Sequence, residues 1–147
     1  MTTVLNSIQE ISIRILIQLF ILDGEEKNSD YISSMDYLSL YSKTFNIGKY
    51  DLHGQKPYRL GELSSRLNLG KDSLKYLVAM GLCSVRCTNN GFVYSINESG
   101  KKVVENLNSA YVSKYINLAI DAQEYFKNNN DVEVIKYING ISRTERR

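Results

Sequence analysis

The chain has 147 residues, 43% apolar and 23% charged, with a net charge of +2. That size predicts a single domain, residues 1–147, burying roughly two thirds of its unfolded surface. The near-neutral balance argues against DNA binding as the main task, which brings a basic stripe and a larger positive excess, and leaves room for a local patch.

From Leu5 to Leu22 apolar residues cover most of a helix surface, and Ser7, Glu10, Arg14 and Gln18 leave one narrow polar stripe. Glu10 and Arg14 stand at i, i+4, a pair worth about 0.3 kcal/mol when exposed. Such a helix is either the centre of its own domain or pressed against a partner. In the second case the isolated protein would self-associate through a sticky face. The run from Ile11 to Leu22 is shorter than the roughly 20 residues a membrane helix needs. No basic stretch precedes it and no small-residue cleavage site follows, so a secretory signal is not expected.

A polar connection, Asp23 to Asn28, leads into a second helix with Tyr31, Met35, Leu38, Ser42 and Phe45 on one face. Ser33 with Asp36 three residues on could cap its start; alternatively the helix begins near Asp30 and contains Asp36. Residues 46–59 have no period and hold Gly48, Gly54 and the chain's one proline, Pro57. Ordered loops of this length are disproportionately functional. The one histidine, His53, lies in this loop without a second catalytic group in view, and reads as a structural hydrogen-bonding residue.

Residues 60–96 organise the rest. Leu60, Leu63 and Leu67 recur at helical spacing, Asn68-Leu69-Gly70 breaks the run, and Leu74, Leu77 and Val78 restart it, as in a helix-turn-helix. Gly81 is placed as the left-handed residue after Met80, so Leu82 can fold back on Leu77 in a Schellman end. Cys83, Val85 and Cys87 alternate with Ser84, Arg86 and Thr88, and Phe92, Tyr94 and Ile96 with Val93 and Ser95. Asn89-Asn90-Gly91 joins them with residues that tolerate positive φ. The fold class is therefore mainly α: a winged helix-turn-helix with a small β-hairpin wing (core about 60–107). An N-terminal helical pair (5–45) and C-terminal helices (108–141) flank it.

Cys83 and Cys87 stand about 13 Å apart along one strand, beyond the roughly 7 Å that a disulfide allows. They read as small apolar residues packing on one strand face, in a reducing cytosol. No metal set is available from two cysteines and one histidine. Asn97 is placed to cap a helix carrying Val103, Val104 and Leu107. Beyond Asn108 a longer helix puts Tyr111, Tyr115, Leu118, Ala122 and Tyr125 on one face, and Asn128 to Asn130 ends it. Asp131 then caps a last helix through Val134, Ile135 and Ile138, and Ser142 to Arg147 reads as a disordered charged tail. With no nucleophile-base pair, carboxylate pair or phosphate loop, neither an enzyme nor a cofactor is expected.

Asp36-Tyr37, Tyr41-Ser42, Phe45, Leu52-His53, Pro57-Tyr58-Arg59, Gly61-Glu62-Leu63 and the Gly81-Leu82 ending resemble, in order and spacing, the middle component of bacterial ABC-three-component systems. That group includes the LmuC-like subunit of Lamassu anti-phage defence. Arg14 to Ile17 and Ser109-Ala110-Tyr111 fit the same pattern, which covers about Ile11 to Tyr125. Members often carry a His-Ser pair where this chain has Tyr41-Ser42, and a proline-rich loop reduced here to Pro57. The resemblance implies a non-enzymatic adaptor between an SMC-like or ABC-type ATPase and an effector, commonly a nuclease, restrained until the ATPase engages foreign DNA. It also implies partner-binding or loop-fixing roles for Asp36, Tyr37, Ser42, His53, Tyr58, Arg59 and Glu62. Each could equally be interior, where Tyr and Arg satisfy buried polar atoms.

The alternative is a winged-helix transcriptional regulator, whose second motif helix would enter the major groove. Lys71, Ser73, Lys75 and Tyr76 would then face DNA, with Arg66 and Arg86 near phosphates. Asp72 opposes phosphate, and the wing tip carries no cation. For Lys71 and Lys75 a solvated helix face, a DNA contact and an acidic partner surface all stay open.

Overall fold

The computed structural model describes residues 7–53 and 62–145. Its elements are α1 (Ile8–Leu22), α2 (Ser29–Leu40), α3 (Glu62–Ala79), β1 (Cys83–Thr88), β2 (Gly91–Ile96), α4 (Glu98–Glu105), α5 (Ala110–Tyr125) and α6 (Asp131–Glu145). The class is mainly helical with one small antiparallel hairpin, as the periodicities predict.

Helix starts fall where a side chain can accept from a free backbone N–H. Ser7, Asn28, Asn97 and Ser109 do so for α1, α2, α4 and α5, at 2.9 to 3.1 Å. Helix α2 thus begins at Ser29, and Asp36 lies inside it. The last helix is capped by Asn130 and not by Asp131. The Asn130 side chain accepts from Glu133 N–H while Glu133 accepts from Asn130 N–H, both at 2.9 Å, a reciprocal capping box. Helix α6 continues through Ser142 to Glu145, where a disordered tail was expected, because no glycine or proline follows Gly140 to stop it.

Helix α1 is interior. Ile11, Ile15, Leu16, Ile17 and Leu19 are buried, and so are Arg14 and Gln18 of its polar stripe, which removes the partner-docking alternative for this helix. Helix α2 is buried continuously from Tyr31 to Leu40, with α1, α3, α5 and α6 around it. Its serines make this possible, since short side chains let neighbouring helices come close.

That closeness explains the main departure from expectation. The break at Asn68-Leu69-Gly70 does not occur, and α3 runs unbroken for 18 residues. Gly70 is buried against α2, where an added Cβ would come 2.7 Å from the Ser33 Cβ. Glycine here serves helix-to-helix approach and not a turn. A helix followed by a hairpin replaces the helix-turn-helix, while the helical class with its hairpin stands.

Helix α3 ends as predicted. Gly81 has φ +75, Leu82 N–H donates to Leu77 O at 2.9 Å, and Gly81 N–H to Val78 O at 3.0 Å, the Schellman pair. The hairpin register runs from Cys83 opposite Ile96 to Thr88 opposite Gly91. Only Gly91 of the turn has positive φ; Asn89 and Asn90 do not. The connection after α1 ties down the outer edge of β2, with Tyr94 N–H donating to Lys27 O at 2.8 Å and Lys27 N–H to Tyr94 O at 3.2 Å. Cys83 is buried and Cys87 exposed, both free thiols, so the shared packing face expected for them holds only at the hairpin base.

Candidate functional site

Asp36, the first of the family-like residues, is at the centre of a buried polar network joining α1, α2 and α5. Its carboxylate accepts from Arg14 Nε at 2.9 Å, from Arg14 Nη2 at 3.3 Å and from the Tyr115 hydroxyl at 2.6 Å. Gln18 continues the network, donating to Tyr115 Oη at 2.9 Å and Ser39 Oγ at 3.0 Å, and accepting from Gln123 at 2.8 Å. Burial works against the Arg14 charge, but Asp36 outweighs it and raises the Arg14 pKa. Burial and the same carboxylate raise the Tyr115 pKa, so its hydroxyl stays a donor.

Tyr37, His53 and Glu62 gather around Tyr41 and Arg66. The His53 ring meets Tyr41 edge-on at 6.0 Å, and Tyr37 meets it at 5.6 Å. The Arg66 guanidinium lies 5.6 Å from the Tyr37 ring centre and 6.0 Å from that of Tyr41, held by Glu62 at 3.2 Å one turn earlier. Each such cation-ring contact is worth about 0.5–1 kcal/mol. Ser42 is buried, and its carbonyl accepts from Ile47 N–H at 2.9 Å and Gly48 N–H at 3.2 Å. Asp51 accepts from Thr44 N–H and its hydroxyl, and Leu52 N–H donates to Leu40 O at 2.9 Å. The first half of the long loop is therefore a laced turn. Tyr58 and Arg59 lie outside the described residues.

His53 Nε2 is 3.1 Å from the Tyr111 hydroxyl. Burial, then the Arg14 and Arg66 cations, lowers its pKa to about 4. The folded state therefore holds a neutral ring, while the unfolded chain takes a proton near pH 6.5. The stability this ring contributes is complete above about pH 6.5 and is lost as pH falls toward 4. His53 is the chain's one histidine, so its ring NMR signals should stay at neutral-form positions at about pH 5.5. A ring titrating near pH 6.5 would mean that the pocket does not exclude water.

The residues assigned to nucleic acid are divided. Lys71 and Lys75 are exposed on α3, but Ser73 between them is fully buried. Arg86 is tied to Glu26 through two contacts, at 2.7 and 2.9 Å, and Arg66 to Glu62. The hairpin presents apolar surface instead. Cys83 and Ile96 are buried at its base, while Val85 and Phe92 on the same face are 42% and 58% exposed. Among the described residues no group of three His, Cys, Asp or Glu side chains could hold a metal, and no helix is long and apolar enough to cross a membrane.

Residues 4–145 match the family model for the ABC-three component (ABC-3C) system Middle Component 2. The chain belongs to this family. No curated protein and no solved structure matches it. A middle component works with the other components of its ABC system, as an adaptor among them. In this middle component Asp36, Tyr37 and Ser42 hold helices and a loop in place from inside, whereas Val85 and Phe92 of the hairpin and Lys71 and Lys75 of α3 are exposed. Of the residues that complete both clusters, Arg66 was read from sequence as a phosphate contact and not as the partner of Glu62, and Tyr115 was read only as part of a helix face. The polar stripe of α1 was the signal for Arg14 alone.

Proposed function

We propose that this middle component is the non-enzymatic, cytoplasmic adaptor of a Lamassu-type defence complex. It joins an SMC-like ABC ATPase to an effector such as a nuclease and restrains that effector until the ATPase engages foreign DNA. The observation that carries the reading is the hairpin, whose apolar face continues from the core into solvent at Val85 and Phe92. Met80, in the turn before β1, is likewise 57% exposed, and exposed apolar side chains of this kind suit a protein partner. The regulator reading has the exposed Lys71 and Lys75 in its favour. It loses Ser73 to the core and both arginines to carboxylates.

Co-expression with the other components of its system, followed by size exclusion with and without duplex DNA, tests this. Co-elution without DNA is expected. A chain that runs alone and binds its own upstream duplex with sequence preference would be a regulator.

A further inference from the structure

We propose that the open edge of β1 pairs with the same edge of a second copy of this chain, antiparallel about a two-fold axis at Val85. Such pairing does not depend on the adaptor role.

Residues of an antiparallel pair turn their backbone N–H and C=O groups alternately toward the partner strand and away from it. On β2, Tyr94 turns its groups outward, since both are bonded to Lys27. Val85 stands opposite Tyr94, so its groups also point outward, at the far edge of the hairpin, and those of Cys83 and Cys87 do the same. None of the three has a backbone partner there among the described residues. One edge of the hairpin is thus covered by its own chain, and the other is bare.

Bare strand edges are templates for another chain, and proteins block them with a charge, a proline, a bulge or a covering segment. Strand β1 runs Cys-Ser-Val-Arg-Cys-Thr without proline, and its one-to-one register has no bulge. Ser84, Val85, Arg86 and Cys87 are all exposed. The only charge of the strand, Arg86, is drawn across β2 to Glu26 and away from this edge.

The occupant is then an extended backbone whose side chains alternate as those of β1 do, with Val85 and Cys87 on one face and Ser84 and Arg86 on the other. Strand β1 itself meets this description. With Val85 opposite Val85, Cα atoms about 5.5 Å apart, Cys83 of each copy lies opposite Cys87 of the other and every outward N–H finds an outward C=O. Arg86 falls opposite Ser84, so like charges stay apart. The exposed Val85 side chain packs against its twin, while Phe92, one strand farther out, stays on the surface of the four-stranded sheet.

Sedimentation equilibrium of the full chain should show monomer and dimer exchanging. Val85→Lys and Val85→Asp should each weaken the dimer about tenfold or more, because like charges meet on the axis, and mixing the two variants should restore it. Val85→Pro should give monomers that are still folded by circular dichroism, because the N–H it removes makes no bond within the hairpin. Phe92→Ser should leave the dimer intact. A chain that stays monomeric, charge variants that do not rescue each other, or association lost in Phe92→Ser and kept in Val85→Pro would overturn the proposal. So would a monomeric chain whose Val85→Pro variant no longer co-elutes with the other components, which would give the edge to a strand of one of them. A dimer that joins no component would keep the β1 pairing and overturn the adaptor reading.

Discussion

Asp36→Ala should destabilise the protein by about 3–5 kcal/mol, a large share of the stability of an ordinary domain. Arg14 is wholly buried and Asp36 is 4% exposed, so the pair is sealed from water. Removing the carboxylate leaves a guanidinium that cannot discharge itself by losing a proton, unlike a buried lysine. Glu10, 3.7 Å away and partly exposed, offers little compensation. Tyr115 loses its acceptor in the same step but keeps the bond from Gln18. Arg14→Met combined with Asp36→Leu should recover most of the loss, because packed apolar replacements of a buried ion pair are often neutral or stabilising. Urea unfolding followed by circular dichroism would measure both. A single-variant cost below about 1 kcal/mol would mean that solvent reaches Arg14 and that the pair behaves like a surface one.

What was legible in the sequence was local. Gly81 after a helical run, Asn97 before one, and two alternating strands around Asn-Asn-Gly each carry their physics within a few residues, and the structure places them where the spacing does. The polar stripe of α1 was legible as a stripe but not in its direction. Amphipathic reasoning sends such a stripe to solvent unless polar partners lie inside, and these partners are far along the chain: Asp36 is 22 residues from Arg14, and Tyr115 is 97 from Gln18. Lys71 and Lys75 were visible as a basic pair, but the structure sets them along one cleft with Asp30, Phe92 and Asp131 from three other elements, so the carboxylates near them could not be read from the helix alone. Gly70 is ambiguous in principle, since the missing Cβ suits a turn and a close approach equally, and only the position of Ser33 decides between them.

That decision makes Gly70→Ala informative. In an open helix the change would stabilise by about 1 kcal/mol, because alanine loses less conformational freedom on folding. Here the new methyl would meet the Ser33 side chain, with its Cβ at 2.7 Å, and neither can move without shifting a helix. Overpacking of this kind costs about 1–3 kcal/mol, so a net loss is expected. Ser33→Gly placed with it should restore stability, because the nearest of the Ser33 atoms left is then its Cα at 3.6 Å, an ordinary contact. The two substitutions should therefore be non-additive by about 1–3 kcal/mol in a double-mutant cycle. Additivity, or a stabilised single variant, would show α3 free of α2 at this point.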